Sequence, residues 1–132
     1  MSSINGLTRM HFQRWMESYC RASAENDPQA SAALFASDAL YYENPFDEPI
    51  KGRDAIHQYW KKGAQTLTDK ESNFEILSVK GTCGIARWKS KFTVIESGKR
   101  LALDCLFVVE FDDEGLCRIF REWWHIQERN DG

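Results

Sequence analysis

No run of apolar residues in this chain approaches the ~18 that a membrane-spanning helix needs. The first residues, MSSINGLTRMHFQRW, lack the basic start and apolar run of a secretory signal. Cysteine is sparse: Cys20, Cys83, Cys105 and Cys117 form no CxxC pair, and three of them fall in apolar, strand-like runs. That pattern predicts buried free thiols in a reducing cytoplasm. His11, His57 and His125 share no metal-ligand spacing and no HExxH occurs, so no metal is expected. The chain has no GxxxxGKS/T, GxGxxG or GxSxG, which removes support for nucleotide binding and for serine-hydrolase chemistry. Basic charge is not in excess either. Lys and Arg number 17 against 20 Asp and Glu, a net charge of −3, with no basic stripe of the kind nucleic-acid binders carry.

What is present fits one globular domain over residues 1–132, too short for a second core. Apolar residues at 42% and charged residues at 28% are ordinary for such a domain. Eight Phe, five Trp and four Tyr supply enough buried area for a substantial core.

Leu7, Met10, Trp15, Tyr19, Ala22 and Ser23 recur at helical steps, with Phe12, Met16 and Cys20 widening the stripe. Asp27-Pro28 opens a second short helix, an amide-capping residue followed by a proline suited to the first turn. Asp38 to Asn44 reads as a strand, and Pro45 and Pro49 bracket a loop. After Gly52, Ala55, Ile56, Tyr59, Trp60, Gly63, Ala64 and Leu67 define a third helix. Four strands follow, over 73–80, 82–96, 100–112 and 116–127, with turn residues at each break. The polar tail from Glu128 is expected to fray. Helices segregated to one side of an antiparallel sheet make an α+β fold. Strands this long coil, so the sheet should form a cone with the three helices on its concave face.

Alternation assigns the faces. Gly84, Ala86, Trp88, Ser90, Phe92 and Val94 point inward, while Arg87, Lys89 and Lys91 point outward. A two-residue turn at Ser97-Gly98 pairs Lys91 with Asp104 and Phe92 with Leu103. A two-residue turn at Asp113-Glu114 then pairs Phe107 with Phe120, Cys105 with Glu122 and Leu103 with Trp124. Glu122 becomes an acid among aromatics inside the cone; a three-residue turn would bring Arg121 and Trp123 there instead. Ile85, Leu106, Val108, Ile119 and Trp123 fall on the outer face. No helix is left to cover them, which predicts a homodimer through the convex sheet.

The residues Tyr19, Asn26-Asp27, Ala33-Leu34-Phe35, Asp38-Ala39, Glu43-Asn44-Pro45-Phe46, Gly52-Arg53-Asp54-Ala55-Ile56, Tyr59-Trp60, Phe111 to Gly115 and Arg121 to Trp124 resemble the nuclear transport factor 2-like superfamily, in its SnoaL-like branch. The resemblance implies a curved-sheet α+β cone with a pocket at its wide end. It also implies a range of roles, from ketosteroid isomerase and polyketide cyclases to non-catalytic binding proteins. Against ketosteroid isomerase, Tyr19 resembles the tyrosine that donates to the dienolate oxygen. The catalytic base falls on Glu43 or on Asn44, depending on the gap, and the protonated aspartate of the oxyanion hole falls on Phe107.

The candidate catalytic set is therefore Tyr19, Glu43, Asn44 and Glu122. A carboxyl desolvated among aromatics has a raised pKa suited to proton transfer near neutrality. Trp15, Trp60, Trp88, Phe107, Phe120 and Trp124 are the expected walls, favouring a small hydrophobic or aromatic ligand. No cofactor is implied, because isomerisation, hydration or cyclisation by acid/base chemistry needs only positioned side chains. The alternative is a non-catalytic ligand-binding or interaction module of the same fold.

Overall fold

A computed structural model describes residues 8–129. Leu7 and the last three residues of the polar tail lie outside that range. The chain runs α1 (Arg9–Ala24), α2 (Pro28–Ala32), β1 (Phe35–Tyr42), β2 (Ile50–Lys51), α3 (Arg53–Thr66), β3 (Leu67–Lys80), β4 (Cys83–Val94), β5 (Arg100–Phe111) and β6 (Cys117–Glu128). The strands form one sheet in the order β2-β1-β6-β5-β4-β3.

Local chemistry sets the helix ends. Thr8 Oγ1 accepts from the His11 amide at 3.0 Å and starts α1. Asn26, in the left-handed region at φ 52°, ends it. The Asp27 amide then donates to the Ala22 carbonyl and the Asn26 amide to that of Ser23, which occupies the loose carbonyls of the last turn. Asp27 Oδ1 accepts from the Ala30 amide at 3.0 Å and opens α2, with Pro28 in its first turn.

The inner face of the sheet meets the helices across a dense aromatic core. Phe12, Met16, Phe35, Phe107 and Phe120 are fully buried there, with Trp15, Tyr19 and Tyr41 nearly so. Phe120 stacks on Tyr41 at 4.7 Å and on Tyr19 at 5.8 Å between ring centroids. Pairs of this kind contribute about 0.5–1.5 kcal/mol each beyond simple area burial.

Both long hairpins differ from the sequence expectation in register. The β4–β5 turn has four residues, Ile95 to Gly98, not two: the Val94 amide donates to the Lys99 carbonyl and Gly98 takes φ 72°. Phe92 therefore faces Leu101, and Lys89, not Lys91, faces Asp104. The Asp104 ion pair is made by Arg87, at 2.7 Å. Between β5 and β6, Asp112 Oδ1 accepts from the amides of Glu114 and Leu116, closing a five-residue turn that precedes a bulge at Arg118. Phe107 consequently faces Glu122, Cys105 faces Trp124, and Val109, not Phe107, faces Phe120. Each displacement is two residues, so every side chain keeps its face.

Three further differences have tertiary causes. β1 runs parallel to β6, so the sheet is mixed and not purely antiparallel. α3 carries the chain to the far edge, and the returning meander ends beside β1 running the same way. β3 begins at Leu67 instead of Asn73, because β4 supplies partners as far as Val94 for this polar stretch. Glu128 is the last residue of β6, not the start of a frayed tail; the following Arg129 amide bonds to the Arg100 carbonyl at 2.8 Å. At the other end of the sheet, His11 Nε2 lies 3.0 Å from the Gly115 carbonyl.

The seat of α1 on β4 depends on a missing methyl. A Cβ at Gly84 would lie 2.5 Å from the Phe12 ring, and Phe12 is fully buried. Gly84→Ala should lower unfolding free energy by about 1–3 kcal/mol through overpacking. Denaturant titration checks this, and an unchanged midpoint would contradict the close Phe12–β4 contact.

Candidate active site

The pleat of β6 places Phe120, Glu122 and Trp124 on the inner face, and that of β1 places Tyr41 there with Glu43 just beyond its end. Between these strands, α3 and the start of β3 lies a cavity of about 620 Å³. Tyr19, Tyr41, Trp88, Phe107 and Glu122 line its depth, while Glu43, Trp60, Lys70, Trp124 and Ile126 are among the residues of its wider part. A groove of about 560 Å³ on the outer face, along Lys89, Lys91, Asp104 and His125, encloses no comparable acid.

Glu122 is the centre of the polar network. Its Oε1 accepts from the Tyr41 hydroxyl at 3.0 Å. Burial is the main cause that raises its pKa from 4.5 to about 7; the Tyr41 hydrogen bond opposes the rise and the Glu43 charge adds to it. Tyr19 and Tyr41 are pushed well above the ordinary phenol value by burial first and by the Glu122 charge second. Tyr59 is also raised, by burial and then by its hydrogen bond to Glu43. These phenols hold their protons near neutrality and act as hydrogen-bond donors. The Cys105 thiol is raised for the same reasons, burial and then Glu122.

Glu43 sits exposed at the cavity mouth, where its Oε2 accepts from the Tyr59 hydroxyl at 2.6 Å. Its backbone carbonyl accepts from Trp124 Nε1 at 3.2 Å. Two carboxyl groups of different environment thus face one cavity, one solvated and one desolvated, an arrangement that separates acid and base roles.

The candidate residues divide clearly. Tyr19, Glu43 and Glu122 are brought together around the cavity, with Trp60, Trp88, Phe107 and Trp124 in its lining. Asn44 is not: its Oδ1 accepts from the Phe46 amide at 2.9 Å and holds the turn before α3. Trp15 and Phe120 lie behind the lining. Trp15 Nε1 donates to the Leu34 carbonyl at 3.0 Å, and Phe120 is fully covered by the tyrosines that do reach the cavity. Trp124, expected as a wall, is 47% exposed at the mouth.

Sequence reasoning missed Tyr41, Tyr59 and Lys70. Alternation from Ala39 through Tyr41 to Glu43 could have placed Tyr41 on the inner face. Tyr59 lay within the apolar stripe of α3, where nothing distinguishes a core phenol from a cavity phenol.

Residues 16–120 match the family described as the SnoaL-like domain. A Steroid Delta-isomerase from Nocardioides simplex is 28% identical over 106 residues, covering 80% of this chain and 83% of that protein. Among solved structures, the epoxide hydrolase/cyclase-like enzyme SalBIII, studied for its role in pyran ring formation in polyether salinomycin, superposes with a TM-score of 0.75. That match has 18% identity and covers 89% of this chain and 95% of the other. A Bacillus subtilis protein also gives 0.75, at 21% identity, over 87% and 88% of the two chains. At such identities the two structures speak to fold alone.

The raised pKa of Glu122 ties stability to pH. The folded state keeps this proton up to about pH 7, whereas the ordinary value is 4.5. The associated stability is complete below the ordinary value and is lost as pH rises through the folded one, by about 3 kcal/mol. Chemical denaturation between pH 4.5 and 8 should show that decline, and Glu122→Gln should flatten it. An equal slope in both proteins would mean the carboxyl is not desolvated.

Proposed function

The chain belongs to the SnoaL-like domain family, and on that premise we propose that it binds a small, largely apolar molecule in this cavity and transfers a proton on it. The observation that carries this reading is the Glu122 carboxyl in the lining of an aromatic cavity, held by the Tyr41 hydroxyl at 3.0 Å; burial there pushes its pKa up to about 7. Near neutral pH both protonation states of Glu122 are populated, so it can take a proton from one atom and return it to another. Tyrosine hydroxyls that retain their protons suit an oxygen on which negative charge develops. Isomerisation, hydration and cyclisation all draw on these two elements. Nothing in this chemistry calls for a cofactor.

We also read the outer face as the contact between two copies of the chain. Leu106 and Trp123 pair across β5 and β6 and remain 38% and 44% exposed. Ile85, Val108 and Ile119 continue the apolar face beside them. The described helices pack on the other side of the sheet. The free thiols Cys20, Cys83, Cys105 and Cys117 suit a reducing compartment such as the cytoplasm.

A β,γ-unsaturated steroid ketone is the first probe, since its conversion to the conjugated ketone reports proton transfer optically. With Glu122 as base, kcat/KM should rise with pH through about 7, the pKa of its carboxyl. Glu122→Gln should lower kcat by about 10²–10⁴ and remove that pH dependence. Binding of the probe without conversion, and without solvent deuterium exchange at its α-carbon, would leave the ligand-binding module as the reading. For the dimer, light scattering at micromolar concentration should give twice the chain mass, and Trp123→Glu should give a monomer. A wild-type monomer would refute that contact.

A further inference from the structure

We propose that the cavity is built for an organic acid, an apolar body with a single anionic group, whose charged end is held by Lys70. The inference rests on the reading of the cavity as a binding site and adds the class and orientation of the ligand. Lys70 lines the cavity and is half-buried. Its Nζ lies 5.8 Å from the centroid of the Trp60 ring, and no carboxylate among the described residues lies within ion-pair distance of it. Burial lowers its pKa, so the protein solvates this ammonium poorly and offers it little besides an indole face. An anionic ligand supplies the missing partner.

The backbone is shaped to present this side chain. Thr68 pairs with Thr93 and Glu71 with Lys91, so Asp69 and Lys70 share the place opposite Phe92 in a β-bulge. Asp69 takes φ 54°, a left-handed conformation that L-residues adopt at a cost. Leu67 and Lys70 are three residues apart, a spacing that puts side chains on opposite faces of a regular strand. Both nevertheless line the cavity, because the extra residue restores the face.

Charge then orients the ligand. Glu122 in the depth and Glu43 at the mouth both disfavour an anion beside β6 and β1. Lys62, exposed near the end of α3, adds positive potential on the Lys70 side. Trp60 bridges the two regions, with its ring 5.3 Å from that of Tyr19. A ligand anchored on Lys70 and lying along Trp60 would present its far end to the tyrosines and Glu122.

Two naphthalene probes of nearly equal shape test this: 8-anilinonaphthalene-1-sulfonate, which carries one negative charge, and neutral N-phenyl-1-naphthylamine. Fluorescence titration should show tighter binding of the sulfonate. Lys70→Met should weaken the sulfonate about tenfold, the scale of a lost hydrogen bond to a charged group, and leave the amine within about twofold. Lys70→Arg should retain the preference, and thermal melts establish that both variants fold. Sulfonate affinity unchanged in Lys70→Met, or an equal loss for both probes, would overturn the anion site while leaving the cavity as a binding site. The separate variant Leu103→Trp, which fills the cavity, should weaken both probes. If it weakens neither, the cavity reading fails and the proposal falls with it.

Discussion

The desolvation of one carboxyl organises this molecule. Glu122 stands on a strand whose inward neighbours are aromatic, and removing it from water is costly unless it stays neutral or is hydrogen-bonded. The fold uses both remedies. The pKa rises to about 7, and the Tyr41 hydroxyl donates at 3.0 Å. Tyr41 is itself fixed by stacking on Phe120, and Phe120 is fixed between Tyr41 and Tyr19. The aromatic core that stabilises the domain is thus also the shell that sets the acidity of its polar centre.

That dual role explains why the tyrosines fall where they do. A phenol contributes a large apolar body to the core and a hydroxyl that needs a partner. Tyr19, Tyr41 and Tyr59 put their bodies into the packing between helices and sheet and belong with Glu122 to the lining of one cavity. The electrostatic coupling is mutual: Glu122 raises the tyrosines, and the Tyr41 hydroxyl restrains the rise of Glu122. Lys70 lies outside this network, set on a bulge that breaks the regular ladder of β3. The cavity is therefore polarised, with acid and hydroxyls toward β6 and β1 and an ammonium toward β3.

Much of the architecture was legible in the sequence because its signals are local or periodic. Helical stripes, the Asp27-Pro28 start and the inward faces of β4, β5 and β6 follow from spacing alone. Alternation puts Glu122 on the inner face even with a two-residue β5–β6 turn, which is shorter than the real one. A five-residue turn and a bulge displaced the pairing by two residues, and a period-two pattern is blind to an even displacement. Within the site, Tyr19, Glu43 and Glu122 could be nominated by residue type and position. Asn44 could not be separated from Glu43, because that depends on whether the side chain faces the cavity or closes its own turn.

The sequence by itself determined the order of the main helices and long strands and the inward faces of β4, β5 and β6, since both follow from steric periods of the backbone. Tertiary structure alone decided the parallel pairing of β1 with β6, the company that Tyr41 and Tyr59 keep with the acids, and the turn of Lys70 into the cavity. Each of these depends on where distant segments meet. The path of α3 across the sheet sets strand direction, a hydroxyl finds a carboxylate 81 or 16 residues away, and an unpaired residue in a bulge resets the face of its neighbour.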